Sequence, residues 1–217
     1  MPYQTLQTMP QLEVFFSPGA CSRVTLIALE EAGCNYVARP VVLSRGEHRQ
    51  PGYLRLNPKG KVPFLLADGV PLSENVAILT ALSRWFPNAA LIPTDSPMLE
   101  LQALSVLAWF ASGVHPFVTR LVLPQMISDE PAAAPGIRAM AAVALNKQLD
   151  VLESMLIDQE WVLGQWSVAD AYAFWVWTRL QGAPIDLASR SRLADHAQRM
   201  QARPSVQRAL AKEAAVQ

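Results

Sequence analysis

The sequence is poor in charged residues. Asp, Glu, Lys and Arg make up 17% of its 217 residues, whereas soluble domains contain about 25%. The 18 basic and 18 acidic residues balance, so neither a general nucleic-acid binder nor a protein of anionic membrane surfaces is expected. The hydrophobic fraction is nevertheless 51%, which excludes a disordered chain and favours a large core with an apolar subunit interface.

Cysteine is also scarce, and long apolar runs are missing. Two cysteines, Cys21 and Cys34, cannot form a disulfide framework, so we expect a reducing compartment and a cytoplasmic protein. No stretch reaches about 18 uninterrupted apolar residues, and the sequence therefore predicts no membrane span. The first eleven residues contain no Lys or Arg, which does not fit a secretory signal.

The pattern of the chain changes near residue 90. Short β-type runs alternate with helical patterns before residue 86, and almost everything after residue 97 is helical. Residues 87–97 contain three prolines and predict a linker, because proline lacks the N–H and fixes φ. We therefore predict an α/β domain over 12–86 and an all-helical domain over 97–217.

The first domain is predicted as β-α-β followed by a hairpin and a helix. The expected strands are 12–16, 36–42, 62–67 and 70–72, and the expected helices are about 20–32 and 74–86. Gly33 should end the first helix, and Pro40 favours an edge strand. Asp68-Gly69 is a strong hairpin turn, and Ser73 is expected to cap the second helix.

The helical domain has three clear helix starts. Pro135 suits the first turn of a long helix that runs to about residue 157. Ser167 and Asp170 form a capping-box pattern before an apolar helix. Pro204 should begin the last helix, which ends near residue 214.

Cys21 lies in the first turn of the first helix, directly after a Ser-Pro-Gly turn. Unpaired N–H groups and the positive end of the helix dipole favour a thiolate there, so we favour a reactive or ligand-facing thiol over an inert buried one. No second cysteine stands at Cys-x-x-Cys spacing, and an external thiol would have to resolve any disulfide. We interpret Cys34 as structural.

Two further motifs suit an extended ligand. Val62-Pro63 begins a strand, where proline indicates an edge position or a cis bond that turns the backbone of Val62 towards a ligand. Glu74 and Asn75 open a helix whose N-terminus could bind a carboxylate, with Glu74 receiving an ammonium group; plain helix capping explains the same residues without a ligand.

The segment between residues 39 and 61 is locally basic. It contains six basic residues and one acid, which suits a small anionic ligand, although a solvated loop is the plainer interpretation of any single residue. The basic residues are Arg39, Arg45, Arg49, Arg55, Lys59 and Lys61.

Taken together, these motifs resemble the glutathione transferase family, most closely its bacterial, cysteine-bearing beta class. They follow the family's order with similar spacing over residues 12–214, and the eleven residues before them look like an extension outside the pattern. The motifs are SPGACS (17–22), NPKGKVP (57–63), LSENVAI (72–78), GQWSVADAY (164–172) and QRMQARPSVQRAL (198–210).

The resemblance implies a thioredoxin-like first domain, an all-helical second domain, glutathione as cosubstrate and a homodimer. It implies that Pro63 is the family's cis-proline and that the backbone of Val62 binds the cysteinyl part of glutathione. Glu74 and Asn75 would bind the γ-glutamyl end. Lys61 would lie near the glycyl carboxylate.

The resemblance also implies roles for residues outside that groove. Cys21 matches the beta-class cysteine that can form a mixed disulfide with glutathione, and His115 matches a histidine near the bound thiol. Arg45 lies near a position where a lysine is common in the family, and by this resemblance it is a candidate for binding glutathione. Pro116 departs from the pattern, since beta-class relatives often have Lys there.

The apolar second-substrate side has no readable motif. The aromatic candidates are Trp109, Phe110, Phe117, Trp175 and Trp177. Helix core is the simpler interpretation for most of them, and Trp109 and Phe117 are preferred because they flank His115.

The predicted activity is conjugation of the glutathione thiolate to a hydrophobic electrophile, as in detoxification, without a metal. Two alternatives stay open. Cys21 could itself be the nucleophile of glutathione-disulfide exchange, or the fold could serve a non-catalytic binding protein. An isomerase that uses glutathione as cofactor is a third option, although SPGACS only partly matches the serine-rich motif of such relatives.

Overall fold

The computed structural model describes residues 9–216, so most of the expected N-terminal extension lies outside the described residues. The first part of the chain forms a four-stranded sheet in the order β2-β1-β3-β4. β1 runs parallel to β2 and antiparallel to β3, and β3 is antiparallel to β4. The strands are β1 (Leu12–Phe16), β2 (Tyr36–Pro40), β3 (Phe64–Ala67) and β4 (Val70–Ser73).

The rest of the described chain is mainly helical, and every helix after residue 97 follows the last strand. The helices are α1 (Ser22–Ala32), α2 (Pro51–Leu56), α3 (Asn75–Trp85), α4 (Pro97–Trp109), α5 (His115–Val122), α6 (Ala134–Met155), α7 (Val168–Leu180), α8 (Ser191–Ala202) and α9 (Pro204–Ala214). This confirms a thioredoxin-like sheet unit followed by helices. The domain bounds of 12–86 and 97–217 stay a prediction.

Helix α1 joins the two parts of the molecule. It contacts β1 and α3 on one side and α7 and α9 on the other, which is why Val24, Leu26 and Ile27 are all fully buried although they point in different directions. A helix that is apolar on all sides has to be enclosed by other elements. The first turn of α1, with Cys21, is therefore held by both parts.

The local signals of the first domain were largely correct. Gly33 adopts the left-handed conformation that ends α1, Asp68 and Gly69 both have positive φ, and Pro40 closes the edge strand β2. The prediction for Ser73 was wrong: it is the last residue of β4, where it pairs with Phe64, and α3 begins two residues later, at Asn75, without a side-chain cap.

The segment between β2 and β3 contains more regular structure than expected. Two 3₁₀ turns, at Leu43–Arg45 and Glu47–Arg49, precede the short helix α2. Pro51 occupies the first turn of α2, where its missing N–H costs nothing. The segment was predicted only as a polar, basic loop because a six-residue helix shows too little periodicity to detect.

The capping box before α7 is present and extends into a buried polar cluster. The side chain of Ser167 accepts a hydrogen bond from the Ala169 N–H. Asp170 accepts from the backbone N–H groups of Val162 (2.8 Å) and Ser167 (2.9 Å), and His196 Nε2 lies 2.9 Å from the same carboxylate. Asp170 and His196 are almost completely buried, so this cluster ties the start of α7 to α8.

Helices α4 and α5 form one continuous helical stretch, Pro97–Val122, interrupted by a π-helical turn at Phe110–Val114. By length and composition alone this stretch could cross a membrane: its most apolar 18-residue window has a mean hydropathy of 1.3 and is 28% buried. The expectation of no span rested on uninterrupted apolar runs. Since α5 packs on α6 and α7, we assign the stretch to the helical domain.

Ion pairs fasten α9 to α1. The guanidinium of Arg23 is 2.5 Å from Glu213, and both side chains are largely buried. About two turns further along α1, Arg208 Nε donates to Glu30 at 2.7 Å. These contacts fix the axis of α1 and hence the position of the turn that carries Cys21.

Candidate active site

A cleft between the sheet unit and the α4–α5 stretch contains most of the predicted site residues. The sheet unit contributes Cys21, Asn57, Lys59, Lys61, Val62, Pro63, Ser73, Glu74, Asn75 and Val76. The helical part contributes Ala111, His115, Pro116, Thr119, Arg120, Ile127 and Tyr172. The cleft lies where the first turns of α1 and α3 meet the backbone that leads into β3.

The backbone at residues 61–63 is held from behind. The peptide bond between Val62 and Pro63 is cis, and Val62 lies two residues before β3, outside its ladder. The Tyr53 hydroxyl (2.6 Å) and the Asn57 amide (2.8 Å) both donate to the carbonyl of Lys61. These bonds fix the segment, and Val62 faces the cleft as an edge that an extended peptide can pair with.

Cys21 caps α1, and its thiol donates to the carbonyl of Val62 at 3.5 Å. Burial raises the pKa of this thiol to about 12, and the negative charge of Glu74 adds to the rise. A backbone hydrogen bond at Cys21 and the charge of Lys61 lower the pKa and are outweighed. The prediction that the helix end favours a thiolate at Cys21 was therefore wrong: in the free protein Cys21 is a neutral hydrogen-bond donor.

Asn75 joins the first turns of α1 and α3. Its side-chain N–H donates to the carbonyl of Cys21 at 3.0 Å, and its side-chain oxygen accepts from the Thr25 hydroxyl at 2.8 Å. Both side chains are buried. The side-chain amide of Asn75 is thus engaged within the protein.

Glu74 stands at the mouth of the cleft in an unusual conformation. Its φ is 75°, which is the left-handed region that non-glycine residues rarely adopt. Such strain persists where the surrounding structure imposes it, often at ligand sites. The Glu74 carboxylate is exposed and pairs with Lys59 Nζ at 2.8 Å.

His115 and Tyr172 form the inner wall. His115 Nδ1 lies 3.2 Å from the Tyr172 hydroxyl, and its ring packs against Trp175 at 4.5 Å between centroids. Burial lowers the pKa of His115 to about 4, with smaller contributions from Lys61 and Arg179. Burial also raises the pKa of the Tyr172 phenol. Both groups are therefore neutral near pH 7, and the Tyr172 hydroxyl stays a donor.

The π-helical turn sets the position of His115. The N–H of His115 bonds to the carbonyl of Phe110, five residues back, and Pro116 has no N–H to continue an α-helical ladder. Gly113 is required in this turn, because a Cβ there would lie 2.9 Å from Trp109 Cδ1. π-turns are frequent at functional sites, and this one brings Ala111 and His115 to the cleft.

Several predicted residues do not line the cleft. Arg45 is exposed in a 3₁₀ turn outside it. Trp109 instead donates to Gln148 of α6 at 2.7 Å, and Phe117 also lies outside the lining. Phe110 and Trp175 are core residues. The core interpretation is thus confirmed for Phe110 and Trp175, whereas the preferred candidates Trp109 and Phe117 are not among the residues that line the cleft.

Other cleft residues were missed by sequence reasoning. Tyr172 ends the GQWSVADAY motif, but that motif was used only for its capping box. Thr119, Arg120 and Ile127 carry no motif, and their relation to the cleft depends on the π-turn, which no sequence signal indicated. Among residues 9–216 no group of three or more His, Cys, Asp or Glu side chains could hold a metal ion.

The buried imidazole of His115 should make stability fall at acid pH. Its folded-state pKa of about 4 lies below the unfolded value of about 6.5, so the unfolded chain binds more protons between these pH values. The free energy of unfolding should therefore drop by about 2 kcal/mol more than in His115→Gln between pH 7 and 4.5. Urea unfolding of both proteins measures this; parallel pH profiles would contradict it.

Comparison with known proteins agrees with the geometry of the cleft. Residues 18–85 match the family described as "Glutathione S-transferase, N-terminal domain". Glutathione S-transferase GstA of Escherichia coli O157:H7 is 33% identical over 205 residues, which are 93% of this chain and 98% of that protein. The chain belongs to the glutathione S-transferase family.

Solved structures of the family extend this likeness to the whole fold. A glutathione transferase homolog from Sulfitobacter, with bound glutathione, has a TM-score of 0.85 at 32% identity and covers 94% of this chain and 99% of its own. A beta-class glutathione S-transferase from Sphingomonas chungbukensis has a TM-score of 0.82 at 33% identity, covering 94% and 100%. The resemblance to the beta class is thus found in sequence and in structure.

Proposed function

We propose that this glutathione S-transferase family member binds glutathione along the backbone of Val62 and conjugates its thiolate to an electrophile held against the helical wall. The observation that carries the proposal is the convergence on one cleft of a held cis-peptide edge, the N-termini of α1 and α3, and the carboxylate of Glu74. These groups suit a tripeptide with a thiol, two carboxylates and an ammonium group.

The two ends of glutathione find complementary charges. The γ-glutamyl ammonium pairs with Glu74, and the neighbouring carboxylate meets the N-terminus of α3 at Asn75. Lys61, which makes no ion pair among residues 9–216, is available to the glycyl carboxylate. We do not assign Arg45 a role, because it lies outside the cleft lining.

The sulfur of glutathione is activated by donors and by the local field. The N-terminus of α1 and the charge of Lys61 favour a thiolate at this position. As the tripeptide N–H takes over the Val62 carbonyl, the thiol of Cys21 is released to donate to the glutathione sulfur. In the tautomer that accepts from Tyr172 at Nδ1, His115 presents Nε2–H as a further donor. With its low pKa His115 cannot hold the proton of the thiol, which passes to water.

Conjugation then needs one covalent step. The glutathione sulfur forms a bond to the electrophilic carbon, and the leaving group departs with the electron pair of its bond. The disulfide-exchange alternative has less support, because burial raises the pKa of Cys21 to about 12 and so disfavours the thiolate that must attack. Turnover of any electrophile would separate the enzyme from a non-catalytic binding protein.

Replacing Cys21 by alanine tests this division of roles. We expect Cys21→Ala to keep conjugation of 1-chloro-2,4-dinitrobenzene, with kcat/KM reduced about tenfold or less, because one weak S–H donor is lost. The apparent pKa of the kcat/KM profile should rise by up to about one unit. Glutathione-disulfide exchange should be abolished.

Cys34→Ala is the matched control, since Cys34 is also partly buried but donates to Leu29 outside the cleft. It should leave both reactions unchanged. Complete loss of conjugation in Cys21→Ala would instead assign the covalent chemistry to Cys21. Absence of glutathione binding by calorimetry in the unaltered protein would overturn the whole proposal.

We further propose a cytoplasmic homodimer with a role in detoxification. Support for the dimer comes from the apolar side chains exposed on α4 and α6, since contiguous apolar patches indicate interaction surfaces; they include Met98, Leu101, Met140 and Val143. The two helices are tied together by the Trp109–Gln148 hydrogen bond. Sedimentation velocity would contradict the dimer by finding only a 23.8 kDa species.

A further inference from the structure

The wall of the cleft opposite the Val62 edge is partly polar. It is formed by Pro116, Thr119 and Arg120 of α5 together with Ala111 and Ile127. Two of these five side chains, Thr119 and Arg120, are polar, and Arg120 is also charged. The aromatic rings of α4 and α5 point elsewhere, as described above. A purely apolar ligand would therefore leave a guanidinium facing it.

Arg120 has no acidic partner in the described chain. None of the ion pairs among residues 9–216 includes it. Its guanidinium instead lies over the ring of Phe117, 5.5 Å from the centroid. Phe117 is three residues earlier on the same helix face, so the ring supports the guanidinium without neutralising its charge.

A count of the cleft charges leaves Arg120 unused by glutathione. The ionised side chains that line the cleft are Lys59, Lys61, Glu74 and Arg120, and Lys59 already pairs with Glu74. In the pose proposed above, which this inference assumes, the ammonium of glutathione engages Glu74, and its two carboxylates engage Lys61 and the start of α3. These groups belong to the sheet unit, whereas Arg120 belongs to the opposite wall.

We infer that Arg120 selects electrophiles that carry an acidic group, such as a carboxylate, at the end remote from the reacting carbon. A guanidinium binds a carboxylate with two parallel hydrogen bonds, and the Thr119 hydroxyl lies on the same wall. The second substrate would thus lie across the cleft, with its acidic group at α5 and its electrophilic carbon at the glutathione sulfur.

A matched pair of electrophiles tests this inference. 4-Chloro-3,5-dinitrobenzoate and 4-chloro-3,5-dinitrobenzamide react in the same way: sulfur bonds to the ring carbon, chloride leaves with the C–Cl electron pair, and the thiol proton goes to water. The quantity measured is the ratio of kcat/KM for the acid to that for the amide, each divided by its uncatalysed rate. In Arg120→Gln this ratio should fall about tenfold or more, the factor expected for loss of a charge-assisted hydrogen bond.

Two further variants sharpen the result. Arg55→Gln removes the same charge from an exposed position on α2 outside the cleft, and it should leave the ratio unchanged. Arg120→Lys keeps the charge without the planar fork and should give an intermediate ratio.

Each other outcome overturns the inference in an identifiable way. An unchanged ratio in Arg120→Gln shows that Arg120 does not select the acid. An equal fall in affinity for glutathione itself, measured by calorimetry, would assign Arg120 to the tripeptide. If the unaltered protein conjugates neither compound, the proposed function fails, and this inference fails with it; conjugation of the amide without a preference for the acid overturns the inference alone.

Discussion

Replacement of Asp170 by alanine should lower the free energy of unfolding by about 3–5 kcal/mol, because several buried groups lose their hydrogen-bond acceptor at once. The carboxylate is completely buried and accepts from the backbone at Val162 and Ser167. Without it, two backbone N–H groups and the His196 imidazole lose their partner in a site that water does not reach. Equilibrium urea unfolding followed by far-UV circular dichroism measures the loss.

Asp150 offers a matched control, because it is also an aspartate in an ion pair of the helical domain, with Arg190, but its side chain is 66% exposed. Exposed pairs contribute about 0–1 kcal/mol, so Asp150→Ala should cost less than 1 kcal/mol. Equal effects of the two substitutions would show that burial does not determine the contribution of the cluster. Should Asp170→Ala fail to fold, Asp170→Asn, which keeps one of the two acceptor oxygens, should be recovered with a smaller loss.

Replacement of Asn75 by alanine should lower the free energy of unfolding by about 2–3 kcal/mol and weaken glutathione binding about three- to tenfold. It removes the buried hydrogen bonds to the Cys21 carbonyl and from the Thr25 hydroxyl, each worth about 1 kcal/mol, and leaves the hydroxyl unpartnered. Glutathione binding weakens because the first turns of α1 and α3 are no longer joined. In the proposed pose these turns face the sulfur and the γ-glutamyl carboxylate of glutathione.

Thr25→Val separates the two bonds, since it removes one hydroxyl and keeps the shape of the side chain. Calorimetric titration with glutathione and urea unfolding of the two single variants and the double variant complete a mutant cycle. A coupling energy of about 1 kcal/mol is expected for groups in direct contact. Strict additivity, or unaltered glutathione affinity in Asn75→Ala, would show that the network does not position the site.

The elements that sequence predicted well are those with strong local signals. β1 and α9 begin and end at the residues that periodicity and proline position indicated. Gly33 and the Asp68-Gly69 turn adopt the backbone conformations that favour glycine and aspartate. Helix α2 and the π-turn were missed, because the first is too short to show a period and the second has no local sequence signal.

The location of the candidate site could be predicted where sequence motifs determine the backbone. The protonation states of its side chains could not be predicted, because they depend on burial. Val62, Pro63 and Glu74 lie in the cleft as their motifs indicated. The state of Cys21 was wrong, because a helix dipole is visible in sequence, whereas the desolvation that raises the thiol pKa depends on residues from several elements.

The second-substrate side illustrates the same limit. Proximity to His115 in sequence favoured Trp109 and Phe117, but the face of a helix that meets the cleft depends on the helical register. The π-turn inserts an extra residue and rotates the register of the residues after it by about 100°, and the α5 residues found in the cleft lining beyond His115 are Pro116, Thr119 and Arg120. No property of the residues taken singly reveals this rotation.

In the free protein, Lys59 competes with the amino group of a ligand for the carboxylate of Glu74. The ammonium of Lys59 contacts the Glu74 oxygen to which the amino group of a ligand would bind. A ligand with a free amine therefore replaces the Lys59–Glu74 ion pair by its own ion pair with Glu74. The ammonium of Lys59 is then released next to the carboxylate of the ligand. A peptide whose amine is acylated cannot displace Lys59 from Glu74, so Lys59 is not released to interact with the carboxylate of the peptide. The difference in binding free energy between the free-amine ligand and the acylated ligand should therefore exceed the contribution of a single ion pair. An exposed ion pair that contributes little to folding would thus select for ligands with a free amine.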